Sequence, residues 1–166
     1  MVLDLARKFT SKTELFYRRF KDPEKYLRER RLTELWLKEE FIKKGGNPKD
    51  GFPIYFILGN SPYIYDGYDK KCNVLEMGLD QIPENQLSFT FPDSMVSKWL
   101  ATQKDKIFYQ KKYHGQVFTK NEILNILNEI SIPTHEWKTQ ANRKYDFFIE
   151  AQIWDLSDLH KLFCKI

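Results

Sequence analysis

Three stretches of the chain are dense in apolar residues and short enough to be strands. Pro53-Ile-Tyr-Phe-Ile-Leu58 is apolar throughout, and Leu87-Ser-Phe-Thr-Phe91 alternates with period two. Tyr145-Asp-Phe-Phe-Ile-Glu150-Ala-Gln-Ile-Trp154 is apolar at most positions after Asp146. Runs of this length bounded by Gly, Pro, Asn and Asp are expected to form strands. Glu14-Leu-Phe-Tyr-Arg-Arg-Phe20 and Val74-Leu-Glu-Met77 are further strand candidates.

Helices are expected between them. Asp22-Pro23 places a capping carboxylate before a proline in the first turn, so a helix is predicted over 23–43. Tyr26, Leu27, Leu32, Leu35, Trp36 and Ile42 supply its apolar positions, and Gly45-Gly46-Asn47-Pro48 ends it. Asp93 or Ser94 caps a second helix through Met95, Val96, Trp99 and Leu100. Thr119-Lys-Asn-Glu122 has the spacing of a capping box and opens a third, with Ile123, Ile126, Leu127 and Ile130 on its inner face. A short helix or a frayed terminus is expected over 1–10. Loops, or short strands in the first case, are expected over 107–118 and 134–144. The 166 residues, without repeat or linker, make a single domain over 1–166. Strands and helices do not alternate steadily, which favours an α+β fold over a doubly wound sheet.

Glu150 stands out against this pattern. A carboxylate in a strand buried on both faces costs several kcal/mol unless it has a partner or a use. The ordinary explanation is an ion pair with one of the 27 Lys and Arg residues. The chemical one is a catalytic carboxylate at the edge of a cleft. Arg18 and Arg19, Asn60-Ser61-Pro62 with Tyr63, Ser88 and Thr90, and Asp93 also lie at or near strand ends. Each has an ordinary reading as surface charge, turn, packing or cap.

Composition narrows the function classes. Aromatic residues make up 16% of the chain, too many for disorder. No apolar run approaches membrane-spanning length, and residues 1–8 lack a signal-peptide core; no membrane partner and a cytoplasmic location are expected. Two cysteines and three scattered histidines have no ligand spacing, so no metal is expected. Net charge is +4 and uneven: residues 1–49 hold 14 basic and 8 acidic side chains, a balance of +6, leaving −2 for the remainder. A basic N-terminal third suits a polyanion or nucleotide phosphates, although a solvated helix face has the same composition.

The order of these features resembles the ADP-ribosyltransferase fold, and in particular the DarT group of nucleic-acid-modifying toxins. Ile54-Tyr-Phe-Ile-Leu-Gly-Asn-Ser-Pro62 is similar to that group's aromatic strand and Ser-Pro turn. Leu87-Ser-Phe-Thr-Phe-Pro-Asp-Ser94 loosely matches its strand ending in Thr-Asp. Phe147-Phe-Ile-Glu150-Ala-Gln-Ile-Trp154 matches its late Glu strand. The resemblance covers about residues 14–156. Where the group opens on a His-x-Thr strand, this chain has Phe16-Tyr-Arg-Arg19, and other branches of the fold use arginine there.

The resemblance implies a central mixed or antiparallel split sheet with flanking helices, and NAD as substrate without a metal. Glu150 would stabilise the oxocarbenium-like state formed as the nicotinamide–ribose bond breaks. Arg18 or Arg19 would hold the cofactor's phosphates or adenosine side. Tyr63 or Tyr65 would stack on nicotinamide, with Ser61 in the turn before them. Ser88 or Thr90 would line the pocket and position Glu150. One of Arg28, Arg30 and Arg31 would contact a phosphate or the acceptor. Residues 134–144 would read a nucleic acid through Trp137, Lys138, Gln140, Asn142, Arg143 and Lys144. A toxin or phage-defence role with an antitoxin partner is implied. Two rivals are a non-catalytic nucleic-acid or protein-binding module and a metal-independent ribonuclease using Glu150 with His114 or His135.

Overall fold

A computed structural model describes residues 21–67, 74–104, 106–155 and 157. Its elements in chain order are α1 (Pro23–Lys43), β1 (Ile54–Ile57), α2 (Pro62–Gly67), β2 (Leu87–Thr90), α3 (Ser94–Leu100), α4 (Lys120–Glu129) and β3 (Glu150–Ile153). Short 3-10 turns cover Leu79–Gln81, Glu84–Gln86, His135–Thr139 and Ala141–Arg143. The architecture is α+β: a three-stranded antiparallel sheet with helices around it.

The sheet order is β1-β3-β2, so the last strand lies in the middle. Glu150 is registered against Ile57 and Thr90, and Gln152 against Tyr55 and Ser88. Period-two geometry gives the sheet two unlike faces. One carries Phe56, Phe89, Ala151, Leu87 and Ile153, which pack with Ile123 and Ile126 of α4. The other carries Tyr55, Ser88, Thr90, Glu150 and Gln152, with Trp154 beyond the strand's end. There Trp154 packs with Leu37 and Phe41 of α1 and with Val117.

The caps form as expected. Asp22 accepts from Lys25 N at 3.0 Å, and Asp93 from Val96 N at 3.1 Å. In the Thr119 box, Thr119 Oγ1 accepts from Glu122 N at 3.4 Å and Glu122 Oε2 from Thr119 N at 2.8 Å. Lys44, just past α1, pairs with Glu122 at 2.8 Å and so ties two helix ends together. Thr119→Ala should lower stability by about 1 kcal/mol, read as a shift in the urea midpoint. An unchanged midpoint would mean the cap carries no stability. Gly45 ends α1 at φ 87, and a Cβ on Gly46 would meet the Phe41 ring at 2.5 Å.

Several expectations are corrected. In α1 the buried residues are Thr33, Leu37 and Phe41, whereas Leu32, Leu35 and Ile42 are exposed. The helix turns a partly polar stripe inward because the sheet face it covers is itself polar. Residues 74–77 form no ladder; the segment has no pairing partner among the described residues. Residues 62–67, which follow the expected Gly59-Asn60-Ser61-Pro62 turn, make a helical turn and a half. The 107–118 stretch contributes one bridge, Phe118 to Phe89. The expected elements over 1–10 and 14–20, with Arg18 and Arg19, lie outside the described residues. No described helix is long and apolar enough to cross a membrane.

Candidate active site

Glu150 begins β3 opposite the last residues of β1 and β2, Ile57 and Thr90. The turns leaving both neighbouring strands therefore gather at its end of the sheet. Its side chain belongs to the polar face under α1 and is only 5% exposed. Oε1 accepts from Ser94 N at 3.1 Å and from Gln152 Nε2 at 3.0 Å. Among the described residues nothing donates to Oε2.

A chain of buried hydrogen bonds fixes Gln152. Indole nitrogen only donates, so Trp154 Nε1 gives its proton to Ser88 Oγ at 2.9 Å. The Ser88 hydroxyl then donates to Gln152 Oε1 at 2.9 Å. That assignment turns Gln152 Nε2 toward Thr90 Oγ1, at 3.1 Å, and toward Glu150. Ser88, Thr90, Gln152 and Trp154 are all fully buried. Ser88 and Thr90 thus reach Glu150 through Gln152 and not directly.

Arg30 completes the cluster from α1. Its Nη1 donates to Ser94 Oγ at 3.1 Å, and its guanidinium lies 4.3 Å from the Tyr55 ring centroid. Tyr55 in turn donates to Glu34 Oε1 at 3.0 Å. Burial opposes the charge on Arg30, but Tyr55, Glu150 and Tyr26 outweigh it and hold the guanidinium above its ordinary value. Burial first, then Glu34 and Glu150, push the Tyr55 phenol up, against the pull of Arg30.

Glu150 is pushed up to about 7 by burial and by the neighbouring Asp93, against Arg30, Ser94 and Gln152. Between its ordinary value of 4.5 and about 7, the folded chain keeps a proton that the unfolded chain has released. Stability from this group is full below that window and lost as pH rises through it. That displacement corresponds to roughly 3 kcal/mol. Glu122 and Asp155, both held below their ordinary values, titrate beneath the window and slope the opposite way. The stability of wild type minus Glu150→Gln should therefore fall by about 3 kcal/mol from pH 4.5 to 8. A flat difference across chemical denaturation curves would show the carboxylate ionised throughout.

The remaining candidates are placed as follows. Ser61 Oγ sits 3.5 Å from Phe147 O, and Tyr63 stacks on Phe147 at 4.3 Å between centroids. Both therefore stand beside the segment entering β3, at the Glu150 end of the sheet, but neither touches the carboxylate. Tyr65 is partly exposed on α2. Trp137 packs against Phe91 at 5.8 Å and under the Arg143 guanidinium at 4.7 Å. Arg143 also lies over Tyr113 and pairs with Asp146 at 3.4 Å. Asn142 is exposed and Lys138 lies within the His135–Thr139 turn. His114 accepts from Gln110 N through Nδ1 and meets Asp146 at 2.9 Å through Nε2. His135 lies 3.2 Å from Asp66. Neither histidine contacts Glu150. Arg28 and Arg31 line a groove of about 520 Å³ with Glu24, Leu27 and Leu32, which shares no residue with the Glu150 cluster.

Sequence reasoning missed Gln152 and Tyr55 as site residues and did not separate Arg30 from its neighbours. Gln152 lies two residues from Glu150 and so shares its face, a signal present in the pattern. Arg30, Glu34, Leu37 and Phe41 recur at helical spacing, which places Arg30 on the inner stripe. No cluster of three or more metal-ligating side chains occurs among the described residues. No protein-family model, curated protein or solved structure matches the chain.

Proposed function

We propose that this chain is an NAD-dependent ADP-ribosyltransferase acting on nucleic acid, with Glu150 as its catalytic carboxylate. The observation that carries the reading is Oε2: a carboxylate oxygen in a nine-tenths buried side chain that has no donor among the described residues. Buried polar atoms are ordinarily paired, and one left over invites a functional explanation. Oε1 is held by Ser94 N and Gln152, which orients the group and leaves Oε2 able to accept from a ribose hydroxyl. A carboxylate so fixed places negative charge where an oxocarbenium-like sugar develops positive charge. A value near 7 also suits proton transfer from an incoming nucleophile.

Arg30 and Ser94 are positioning residues in this scheme. Arg30 holds Ser94 Oγ, and Ser94 N holds Glu150. Because α1 covers the polar face, the reading requires α1 to shift from the sheet before a dinucleotide reaches Oε2. An assay with adenylate-labelled NAD and single-stranded DNA, RNA or lysate tests it. Label transferred to an acceptor, with free nicotinamide, is the expected result; intact NAD with every acceptor would overturn it.

The coverage of Glu150 favours a second reading, in which the network is a structural core and the chain a binding module. Arg30, Ser94 and Gln152 then serve only to make the buried charge tolerable. That reading expects no NAD turnover under any condition.

A further inference from the structure

A second cluster of side chains gathers three aromatic rings around the C-terminal end of α3. Trp99 of α3 stacks on Phe108 with centroids 6.0 Å apart and planes 18° apart. Tyr145 meets both edge-on, at 5.3 Å and 4.9 Å. Trp99 is 42% exposed, and Ile107 beside Phe108 is 73% exposed. The Trp99 indole N–H has no acceptor among the described residues. Trp99 is exposed, and Phe108 and Tyr145 are half-buried against it.

Three lysines lie in the segments that carry these rings, with Asp105 between two of them in the sequence. Lys104 and Lys106 lie in the turn between Trp99 and Phe108, are exposed, and pair with no carboxylate among the described residues. Lys144 is exposed and projects over the Tyr145 ring, with Nζ 5.5 Å from its centroid. By contrast, Trp137 and Arg143, two of the expected reading residues, are engaged with each other and with Phe91, Tyr113 and Asp146.

We infer that the Trp99–Phe108–Tyr145 cluster, with Lys104, Lys106 and Lys144, is a docking surface for single-stranded nucleic acid. Unpaired bases stack on exposed rings without sequence preference, and lysines take the intervening phosphates. A duplex, whose bases are already stacked, offers the rings nothing. The inference stands on this surface and not on Glu150, so binding is measured without NAD.

The probe is fluorescein-labelled dT20 or rU20, with a 20-base-pair duplex as competitor, followed by anisotropy and by Trp fluorescence. Wild type should bind either single strand, with tryptophan quenching, and release it as salt rises. Trp99→Ala should weaken binding at least about fivefold. The triple variant Lys104→Ala, Lys106→Ala, Lys144→Ala should reduce the logarithmic salt slope by about 2, near 0.7 for each phosphate no longer neutralised. All four positions are exposed, and unchanged circular dichroism verifies folding. Absence of binding at low salt, equal affinity for the duplex, or affinity unchanged in both variants would overturn the inference. So would equal retention of polyglutamate, which would assign the surface to an acidic polypeptide.

Discussion

Glu150→Gln should leave the protein folded and lower NAD cleavage by about two to three orders of magnitude. That is the usual scale for removing one preorganised electrostatic contact in an active site. The amide keeps an oxygen for Ser94 N, so the turn at the start of α3 retains its tether. The variant lacks the negative charge at Oε2 and its ability to accept a proton. Glu150→Asp keeps the charge but withdraws it by one methylene, and should fall between the two. Turnover undiminished in folded Glu150→Gln would end the enzymatic assignment. Circular dichroism and the urea midpoint distinguish a dead site from an unfolded chain.

Arg30→Ala should be the most destabilising substitution on the polar face, at about 3–5 kcal/mol at pH 8. Removing one partner of a buried charge cluster strands the other, and the stranded carboxylate is Glu150. The same change uncovers the Tyr55 ring and releases Ser94 Oγ. At pH 5.5 the penalty should shrink, because Glu150 then takes up a proton and no longer needs a countercharge. In the Glu150→Gln background the penalty should also shrink, and the double-mutant cycle reads the coupling directly. Equal penalties at both pH values and in both backgrounds would show that Arg30 acts through packing alone.

Local signals made much of this fold legible in the sequence. The strands at 54–57, 87–90 and 150–153 lie where dense apolar runs placed them. The caps at Asp22, Asp93 and Thr119 lie where a short polar side chain precedes a helix. Burial in α1 was not legible from apolar content. Leu32, Leu35 and Ile42 look like core residues, but they are exposed, while the inner stripe buries Thr33 and brings Arg30 near Glu150. Glu150 could be singled out because a carboxylate in an apolar strand is conspicuous by itself. Spacing puts Gln152 on its face and Arg30 on the inner stripe of α1, but these and Ser94 become a site only once register and helix docking bring them within 3.1 Å of one another or of Glu150. Tyr63 illustrates the limit from the other side: a tyrosine in a turn reads as a stacking platform, and here its ring is taken by Phe147.

The strand order has a consequence for synthesis. Among the described strands, β1 and β2 each ladder with β3, which the ribosome makes after both, and Phe89 of β2 also bridges Phe118. About 60 residues separate the end of β2 from the strand that completes it, and about 90 separate β1 from it. A nascent chain halted before residue 150 can form α1 and α4 but no ladder between these strands. Its two aromatic-rich strand segments must wait for their shared partner, and such distant closure folds slowly. Until β3 emerges, chaperones have two sticky edges to hold, and any catalytic or polar-core role of the sheet begins only once that central strand is released.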